Sequence, residues 1–222
     1  SDDVWYPEKL AKQVAFMVTH PDVPLCHTLC NVMDERSQVV GVRHGAGVVP
    51  ETGMIFERLL DHCWITISTV MMKRTLFEKI QGFCEDVETG IIGEDQDFLL
   101  RVARTYPIGL VEDVLAGYRK SSTGVSRARW KATPESQSFN EILLHRRHIW
   151  EGVVSKGRVV RAHSDACIAN SLHWRSLGDV RKSLYFCWRG LLHDLGNLRL
   201  WEEAGRTLVR TIFSNDRLQT GK

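Results

Sequence analysis

The sequence has no long apolar run, no paired cysteine motif and little excess of charge. No stretch approaches the ~18–20 consecutive apolar residues that a membrane-spanning helix needs. The chain opens on Ser1, Asp2 and Asp3 rather than on a basic and then apolar segment, so no signal peptide is predicted. The missing initiator methionine suggests a piece of a longer protein. The formal net charge of +2 gives no support to a nucleic-acid partner.

The six cysteines do not follow the spacings of the common cysteine-based sites. None lies in a C-x-x-C pair, and no histidine pair lies nearby at zinc-finger spacing. Cys26 and Cys30 are too far apart to be bridged if they share one strand. Buried, unbridged thiols in a reducing compartment are therefore predicted. The nine histidines are scattered, and none is assigned to a metal.

Hydrophobic and strand patterns divide the chain into two regions. Hydrophobic residues make up 43% of the chain and charged residues 25%, which predicts a globular protein with a sizeable core. Strand patterns alternate with helix patterns in residues 1–130, as in an α/β domain, whereas residues 131–222 carry helix patterns only. A polar, proline-containing stretch at 131–138 is predicted to be the linker between them.

The first region contains several stretches with a clear period. The helix that begins near Pro7 carries an apolar stripe of Leu10, Val14, Met17 and Val18. Strands are predicted where β-branched or alternating apolar residues run together. The predicted helices cover 7–19, 52–60, 73–80 and 94–105, and the predicted strands cover 25–33, 38–43, 64–72, 108–111 and 114–119.

The second region is predicted to be helical throughout. A turn at residues 176–179 separates two helices, and Ser183 and Gly190, seven positions apart, share one helix face. This arrangement resembles one tetratricopeptide-type hairpin, in which small residues let two helices approach closely. An ordinary helical extension that packs on the main domain explains the same pattern and is favoured. The predicted helices lie near 137–152, 158–176, 179–193 and 198–213.

An acidic helix start at residues 93–101 is the candidate catalytic element. Asp95 falls on the apolar stripe of this helix, whereas Glu94 and Asp97 are predicted to face water, with Asp97 able to pair with Arg101. A carboxylate in a partly buried helix mouth is a candidate general base. Acidic residues also stabilise helix N-termini through the helix dipole, which is the structural alternative.

Three segments taken together are more specific than any one of them. They are Ser1–Leu10, then Ile67–Arg74 with Phe77 and Gly82-Phe83, and then Gly93–Arg101 followed by Ala116-Gly117-Tyr118-Arg119. In this order they resemble the second half of a family 2 glycosyltransferase catalytic domain. The resemblance covers residues 1 to about 126 and implies a partial GT-A fold, a Rossmann-like mixed sheet flanked by helices. The all-helical C-terminal extension resembles, more loosely, the one that many bacterial members carry.

The resemblance implies that the chain begins inside a D-x-D metal motif. Asp2 would be the second acid of that motif and would bind Mg²⁺ or Mn²⁺ on the diphosphate of a nucleotide sugar. The oxygen ligand suits either ion. Asp3 and Trp5 match the D-D-x-W form of the motif and, with Arg119, are predicted to contact substrate. The first acid and the nucleotide-binding half would precede Ser1.

One position departs from the family pattern. Many members carry a histidine shortly after the Tyr-Arg pair, and Ser121, a poor metal ligand, stands there in this chain. Arg119, Lys120 or Arg127 could contact the diphosphate instead. A solvated basic loop is an equal alternative for these three residues.

The family's E-D pair falls on Glu94 and Asp95. The resemblance implies that Asp95 is the general base that deprotonates the acceptor hydroxyl, with Gly93 and Glu94 close to the sugar. Inverting transfer needs a base opposite the departing nucleotide, while a metal stabilises charge on the diphosphate. The predicted activity is transfer from a nucleotide-sugar donor to a hydroxyl acceptor, which could be a sugar, a lipid-linked glycan or a protein. The 222 residues alone are expected to be inactive.

Two other classes of function compete with the enzyme. A non-catalytic remnant of the same fold would bind partner proteins through its helical tail. The sequence upstream of Ser1 would distinguish the remnant from the enzyme. A predicted strand ending in Leu-Asp there supports the enzyme, and a stop codon or a start codon there supports the remnant. Nucleic-acid binding is disfavoured, since no aromatic-interleaved basic patch accompanies the Arg-rich second half. The predicted location is the cytoplasm, with peripheral association at the inner face of a membrane as an option, because nucleotide sugars are cytosolic.

Overall fold

The structure is a computed structural model that describes residues 2–42, 51–84, 93–121 and 143–219, with side chains described up to residue 209. The chain divides into two compact units, Ser1–Phe139 and Asn140–Lys222. The first has mixed α/β structure, with a mixed sheet flanked by helices, and the second contains helices. These features agree with the coarse class predicted from sequence. The predicted boundary at 130/131 lies outside the described residues.

A mixed sheet forms the centre of the first unit. Its two long strands run parallel, with Leu25 opposite Ile108, and the remaining strands pair antiparallel on either side. The strand order is β1-β5-β2-β3, and β4 also pairs with β2. The strands are β1 (Val4–Trp5), β2 (Leu25–Met33), β3 (Val39–Val42), β4 (Met71–Met72) and β5 (Ile108–Arg119).

One of the predicted strands is largely absent from the structure. The central strand predicted at 64–72 is wrong: a 3-10 turn at Ile67–Thr69 interrupts the stretch, and only β4 pairs with the sheet. The turn is closed locally, because both the backbone N–H and the hydroxyl of Thr69 donate to the carbonyl oxygen of Thr66, at 2.8 and 2.7 Å. The β-branched run correctly indicated buried residues, but these residues are buried in an irregular segment and not in a strand.

The two strands predicted between 108 and 119 form the single strand β5. The register against β2 shifts between Thr28 and Leu29, so that Glu112 and Asp113 are left out of the pairing as an exposed bulge. Two acidic residues in succession suggested a turn from sequence. A bulge places both carboxylates in water without ending the strand.

In the described part of the first unit, four helices accompany this sheet, close to the predicted positions. The last of them is buried along most of its length, where Phe98 packs against the rings of Phe77 and Phe83 with centroids 5.9 and 4.8 Å away. The helices are α1 (Lys9–Thr19), α2 (Phe56–Asp61), α3 (Arg74–Ile80) and α4 (Glu94–Ala103).

Helix α1 buries its polar side and exposes its apolar stripe. Lys9 is only 1% exposed and Gln13 is fully buried. Their burial is tolerated because both are hydrogen-bonded: Lys9 Nζ donates to Gln13 Oε1 at 2.6 Å, and Gln13 Nε2 donates to the Thr69 carbonyl at 2.9 Å. The predicted stripe is correct as a pattern, but three of its members are exposed: Leu10, Val14 and Val18.

The second unit contains a helical hairpin followed by a long helix. The predicted turn at 176–179 is present, with Gly178 at φ 81° and the Asp179 side chain accepting from the Lys182 N–H at 3.0 Å. Within the predicted helix at 137–152, the structure describes a short helix, and residues 137–142 lie outside the described ranges. The helices are α5 (Arg147–Trp150), α6 (Lys156–Ser176), α7 (Val180–Leu191) and α8 (Leu198–Gln219).

Small and hydroxyl-bearing residues fill the space between these helices. The Ser183 hydroxyl lies 2.8 Å from that of Ser171 and 3.0 Å from that of Thr207, which links α6, α7 and α8. Gly190 packs against Leu200 so closely that a Cβ atom would lie 2.8 Å from both of its methyl carbons. Ser183 and Gly190 therefore both lie at close contacts between helices. No helix in the described part of the chain is long and apolar enough to cross a membrane.

Candidate functional site

The Asp2–Trp5 segment lies along the end of β5, where it meets Arg119. The Arg119 backbone N–H donates to Asp3 Oδ1 at 3.0 Å, and the Arg119 side-chain Nε donates to the Asp2 carbonyl oxygen at 3.0 Å. These contacts join residues that are more than a hundred positions apart in sequence, because the antiparallel pairing of β1 with β5 sets the register. Four predicted site residues are therefore brought together: Asp2, Asp3, Trp5 and Arg119.

The Arg119 guanidinium also holds the turn between β2 and β3. Its Nη1 donates to the Ser37 hydroxyl at 2.9 Å and to the Asp34 carbonyl oxygen at 3.2 Å. The arginine thus connects three pieces of backbone, and its fork geometry suits several acceptors at once. In the described structure Arg119 positions Asp2 and Asp3, a role that the sequence did not predict.

Trp5 is fixed in orientation while its ring stays about half exposed. Its indole N–H donates to the Ser68 carbonyl oxygen at 2.7 Å, and the Lys9 ammonium lies 4.2 Å from the ring centroid. A ring held in this way can stack on a planar or sugar-like ligand without losing much conformational freedom. The described geometry is compatible with the predicted substrate contact at Trp5.

Sequence reasoning missed the buried pair beneath this tryptophan. Lys9 and Gln13 lie four positions apart on the side of α1 next to its apolar stripe, and this spacing was the available signal. Burial lowers the pKa of Lys9, and the neighbouring Cys26 acts in the opposite direction. Burial in turn raises the pKa of the Cys26 thiol, which accepts a hydrogen bond from the Gln13 amide. The pair fixes the start of α1 against the 3-10 turn and so supports Trp5.

The predicted metal ligand offers only part of a metal site. Asp2 is exposed, whereas one Asp3 oxygen is occupied by the Arg119 N–H. The described residues contain no group of three or more His, Cys, Asp or Glu that could hold a metal. A hard carboxylate oxygen suits Mg²⁺ or Mn²⁺, but a single one does not complete a site. The residues therefore fit a metal only if its other ligands come from elsewhere.

The start of α4 places Asp95 half-buried in the helix mouth. Gly93 precedes the helix at φ 119°, a conformation that favours glycine. Asp95 Oδ1 accepts from the Gln96 N–H at 2.8 Å, and Glu94 Oε2 accepts from the Gly93 N–H at 3.2 Å. In the described part of the chain the other Asp95 oxygen has no hydrogen-bond partner. The same arrangement satisfies the structural alternative, in which the acids stabilise the helix terminus.

The prediction that Glu94 and Asp97 face water is wrong. Asp97 is fully buried and pairs with Arg101 at 2.7 Å, and Glu94 is half-buried. Arg101 also donates to the carbonyl oxygens of Ile80 and Gly82, at 2.5 and 2.8 Å. Helix α4 is buried on more than one side. The position of its apolar residues therefore does not show which of its polar residues are exposed. The Asp97–Arg101 pairing itself is confirmed.

Comparison with known protein families and curated proteins identified no relative of this chain. No model of a known protein family matches the chain, and no curated protein matches it. The geometry of the first unit and the resemblance of its segments are therefore the basis for a function.

Proposed function

We propose that this chain is the acceptor-side half of the catalytic domain of an inverting, metal-assisted family 2 glycosyltransferase, followed by a helical extension. One observation carries the proposal: the segments that resemble the family meet in space. Trp5 of the first segment donates to the Ser68 carbonyl of the second, and Asp3 accepts from the Arg119 N–H. A chance likeness between separate segments gives no reason for them to converge.

Asp95 acts as the general base in this proposal. Its carboxylate takes the proton of the acceptor hydroxyl as the oxygen attacks the anomeric carbon, and the nucleotide diphosphate leaves from the opposite face. A half-buried carboxylate with one oxygen unpartnered in the described structure has the exposure such a base needs. Gly93 and Glu94 lie at the same helix start and would contact the sugar or acceptor.

The Asp2–Trp5 segment contributes to donor binding in this proposal. Asp2 would hold Mg²⁺ or Mn²⁺, which supplies positive charge against the diphosphate leaving group. Asp3, Trp5 and Arg119 would line the donor side, with Trp5 oriented by its bond to the backbone. The partners are a nucleotide-sugar donor and a hydroxyl acceptor, and the reaction belongs in the cytoplasm, where nucleotide sugars are made.

The exposed apolar stripe of α1 is explained by the same proposal. Leu10, Val14 and Val18 face outward in the described structure, a surface that favours contact with more protein. In a complete GT-A domain the nucleotide-binding half would cover this side. The 222 residues alone are accordingly expected to transfer no sugar, and turnover by them would contradict the proposal.

The test of Asp95 uses a full-length enzyme that contains this chain. Asp95→Asn removes the base while keeping the side-chain shape, so kcat should fall by about 10²–10⁴-fold. Nucleotide binding, measured by calorimetry, should stay within a factor of two because Asp95 lies on the acceptor side. Near-normal turnover of Asp95→Asn would remove Asp95 from this role.

Asp22→Asn is the matched control, because Asp22 is an exposed aspartate of the same unit. It should leave both kcat and nucleotide binding unchanged. A donor screen with and without Mn²⁺ tests the wider proposal. Absence of transfer from every nucleotide sugar tried, with folded full-length protein, would count against a glycosyltransferase.

A further inference from the structure

Helix α8 of the second unit presents an apolar side to solvent. Leu198, Trp201, Leu208 and Val209 are 50–80% exposed, and they fall within a sector about 100° wide when the helix is viewed along its axis. Leu195, in the turn before the helix, extends this surface, because its carbonyl oxygen accepts from the Trp201 indole N–H at 2.9 Å. These five residues are named here the outer face of α8.

The opposite side of α8 is already occupied within the unit. Leu200 and Thr207 are fully buried, and Glu203 pairs with Arg175 of α6 at 3.2 Å. The Thr207 hydroxyl bonds to Ser183 of α7. The side of α8 that packs on α6 and α7 is thus largely polar, and its apolar side is exposed. An amphipathic helix normally packs the other way, so the outer face requires a separate explanation.

The unit that carries the outer face has a positive formal net charge. Residues 140–222 contain fourteen Lys or Arg against eight Asp or Glu, a formal net charge of +6, whereas residues 1–139 carry −4. Arg199 and Arg206 lie together on one flank of the outer face, where they pair with exposed Asp165 and Glu202 respectively. An apolar sector with a tryptophan and a basic flank is the pattern of helices that lie at anionic lipid surfaces.

We propose that the outer face of α8 docks on the surface of an anionic lipid bilayer. Trp201 and the leucines enter the headgroup region, while Arg199 and Arg206 lie over the anionic phosphates. A lipid surface is favoured over a protein groove, because the outer face combines a tryptophan with a basic flank in a unit of positive net charge. This inference does not depend on sugar transfer, and its test requires no turnover.

The test measures sedimentation of the 222-residue chain with lipid vesicles. One set contains phosphatidylcholine alone, and the other contains roughly three parts phosphatidylcholine to one part phosphatidylglycerol. We expect binding to the anionic vesicles to be at least tenfold stronger, and to weaken as salt is raised from low to physiological concentration. Equal binding to both sets, or none to either, would overturn the proposal.

Substitutions identify the surface that binds. Leu198→Ser with Trp201→Ser should reduce partitioning into anionic vesicles at least tenfold, because the apolar anchors are lost. Arg199→Gln with Arg206→Gln should reduce it by about fivefold for each charge and leave the weak binding to neutral vesicles unchanged. Unaltered binding of the Leu198 and Trp201 double variant would contradict the assignment to α8.

Controls separate docking from unfolding and from self-association. Leu172→Ser with Leu177→Ser replaces two other exposed leucines of the same unit and should bind as the parent does. Circular dichroism should show unchanged helix content in every variant, and Leu195→Ser with Leu198→Ser serves if loss of Trp201 disturbs folding. Sedimentation equilibrium showing a dimer that the Leu198 and Trp201 variant abolishes, without vesicle binding, would reject the lipid proposal in favour of a second copy.

Discussion

Neighbouring carboxylates at the start of α4 have different environments. Asp95 is half-buried with one hydrogen bond to backbone, whereas Asp97, two positions on, is fully buried against Arg101. A buried carboxylate that pairs with a multiply bonded arginine is held in one position and serves the fold. The candidate base must instead remain accessible to an acceptor. Residue type alone does not distinguish the two.

Replacement of Arg101 by alanine tests the structural role of this pair. It leaves Asp97 buried without its arginine and removes two hydrogen bonds, one to the end of α3 and one to the loop after it, so the free energy of unfolding should fall by about 3 kcal/mol. Urea unfolding followed by circular dichroism measures the change. Arg74→Ala is the control, because its pair with Glu78 has the same spacing but is exposed, and should change stability within error. Equal effects of both substitutions would show that burial of the Asp97 pair is unimportant.

Two helices, one in each unit, expose an apolar side and bury a polar one. In α1 the buried side carries Lys9 and Gln13, and in α8 it carries Glu203 and Thr207. Gln13, Glu203 and Thr207 each reach a partner on another element, and Lys9 donates to Gln13 within α1. The apolar sides are then available for contacts outside the described structure. For α1 and α8, the hydrogen bonds and ion pairs of the buried polar side chains therefore determine which side of the helix faces inward.

Close approach of helices in the second unit depends on Gly190. In Gly190→Ala the new methyl group would lie 2.8 Å from the buried methyl carbons of Leu200 and 3.2 Å from Cys167 Cβ, so either Leu200 must repack within the core or α7 and α8 must separate. We expect a loss of about 1–3 kcal/mol in the free energy of unfolding, measured by urea titration.

Gly205→Ala provides the comparison within α8. This helical glycine has nothing within 4 Å of the position of a Cβ atom, so alanine should raise stability by about 0.5–1 kcal/mol through helix propensity alone. If both alanines stabilised the protein, the proposed crowding at Gly190 would be wrong.

Across the whole molecule, no cysteine forms a disulfide, as the sequence predicts. Four thiols are buried, two in each unit, whereas Cys63 and Cys84 are partly exposed. Burial raises the pKa of Cys26 and of Cys187, which keeps both thiols neutral and weakly nucleophilic near neutral pH. Both units therefore protect their interior thiols by the same means.

Alkylation of the native chain should reveal this difference between thiols. At pH 7.5, iodoacetamide should modify Cys63 and Cys84 well before the buried cysteines, and all six should react in denaturant. Mass spectrometry of timed samples measures the order. Rapid modification of Cys26 or Cys187 in the folded chain would contradict their burial.

The helix positions, the strand β2 and the hairpin turn with Gly178 could be predicted from sequence, because each depends on local spacing and turn chemistry. The position of Asp95 at a half-buried helix start was available in the same way. Three features could not be predicted from sequence, because each depends on contacts between residues distant in sequence. They are the burial of Asp97, the interrupted stretch at 64–72 and the exposed stripe of α1.

The sequence by itself determined the positions of most helices and of β2, that its thiols stay unbridged, and which acids are candidates for chemistry. Only the tertiary structure decided that Asp2, Asp3, Trp5 and Arg119 meet at one end of β5, because strand pairing sets their register across more than a hundred residues. It also decided which side of α8 faces outward. A periodic pattern shows that a helix has two unlike sides, but only its neighbours determine which side is covered.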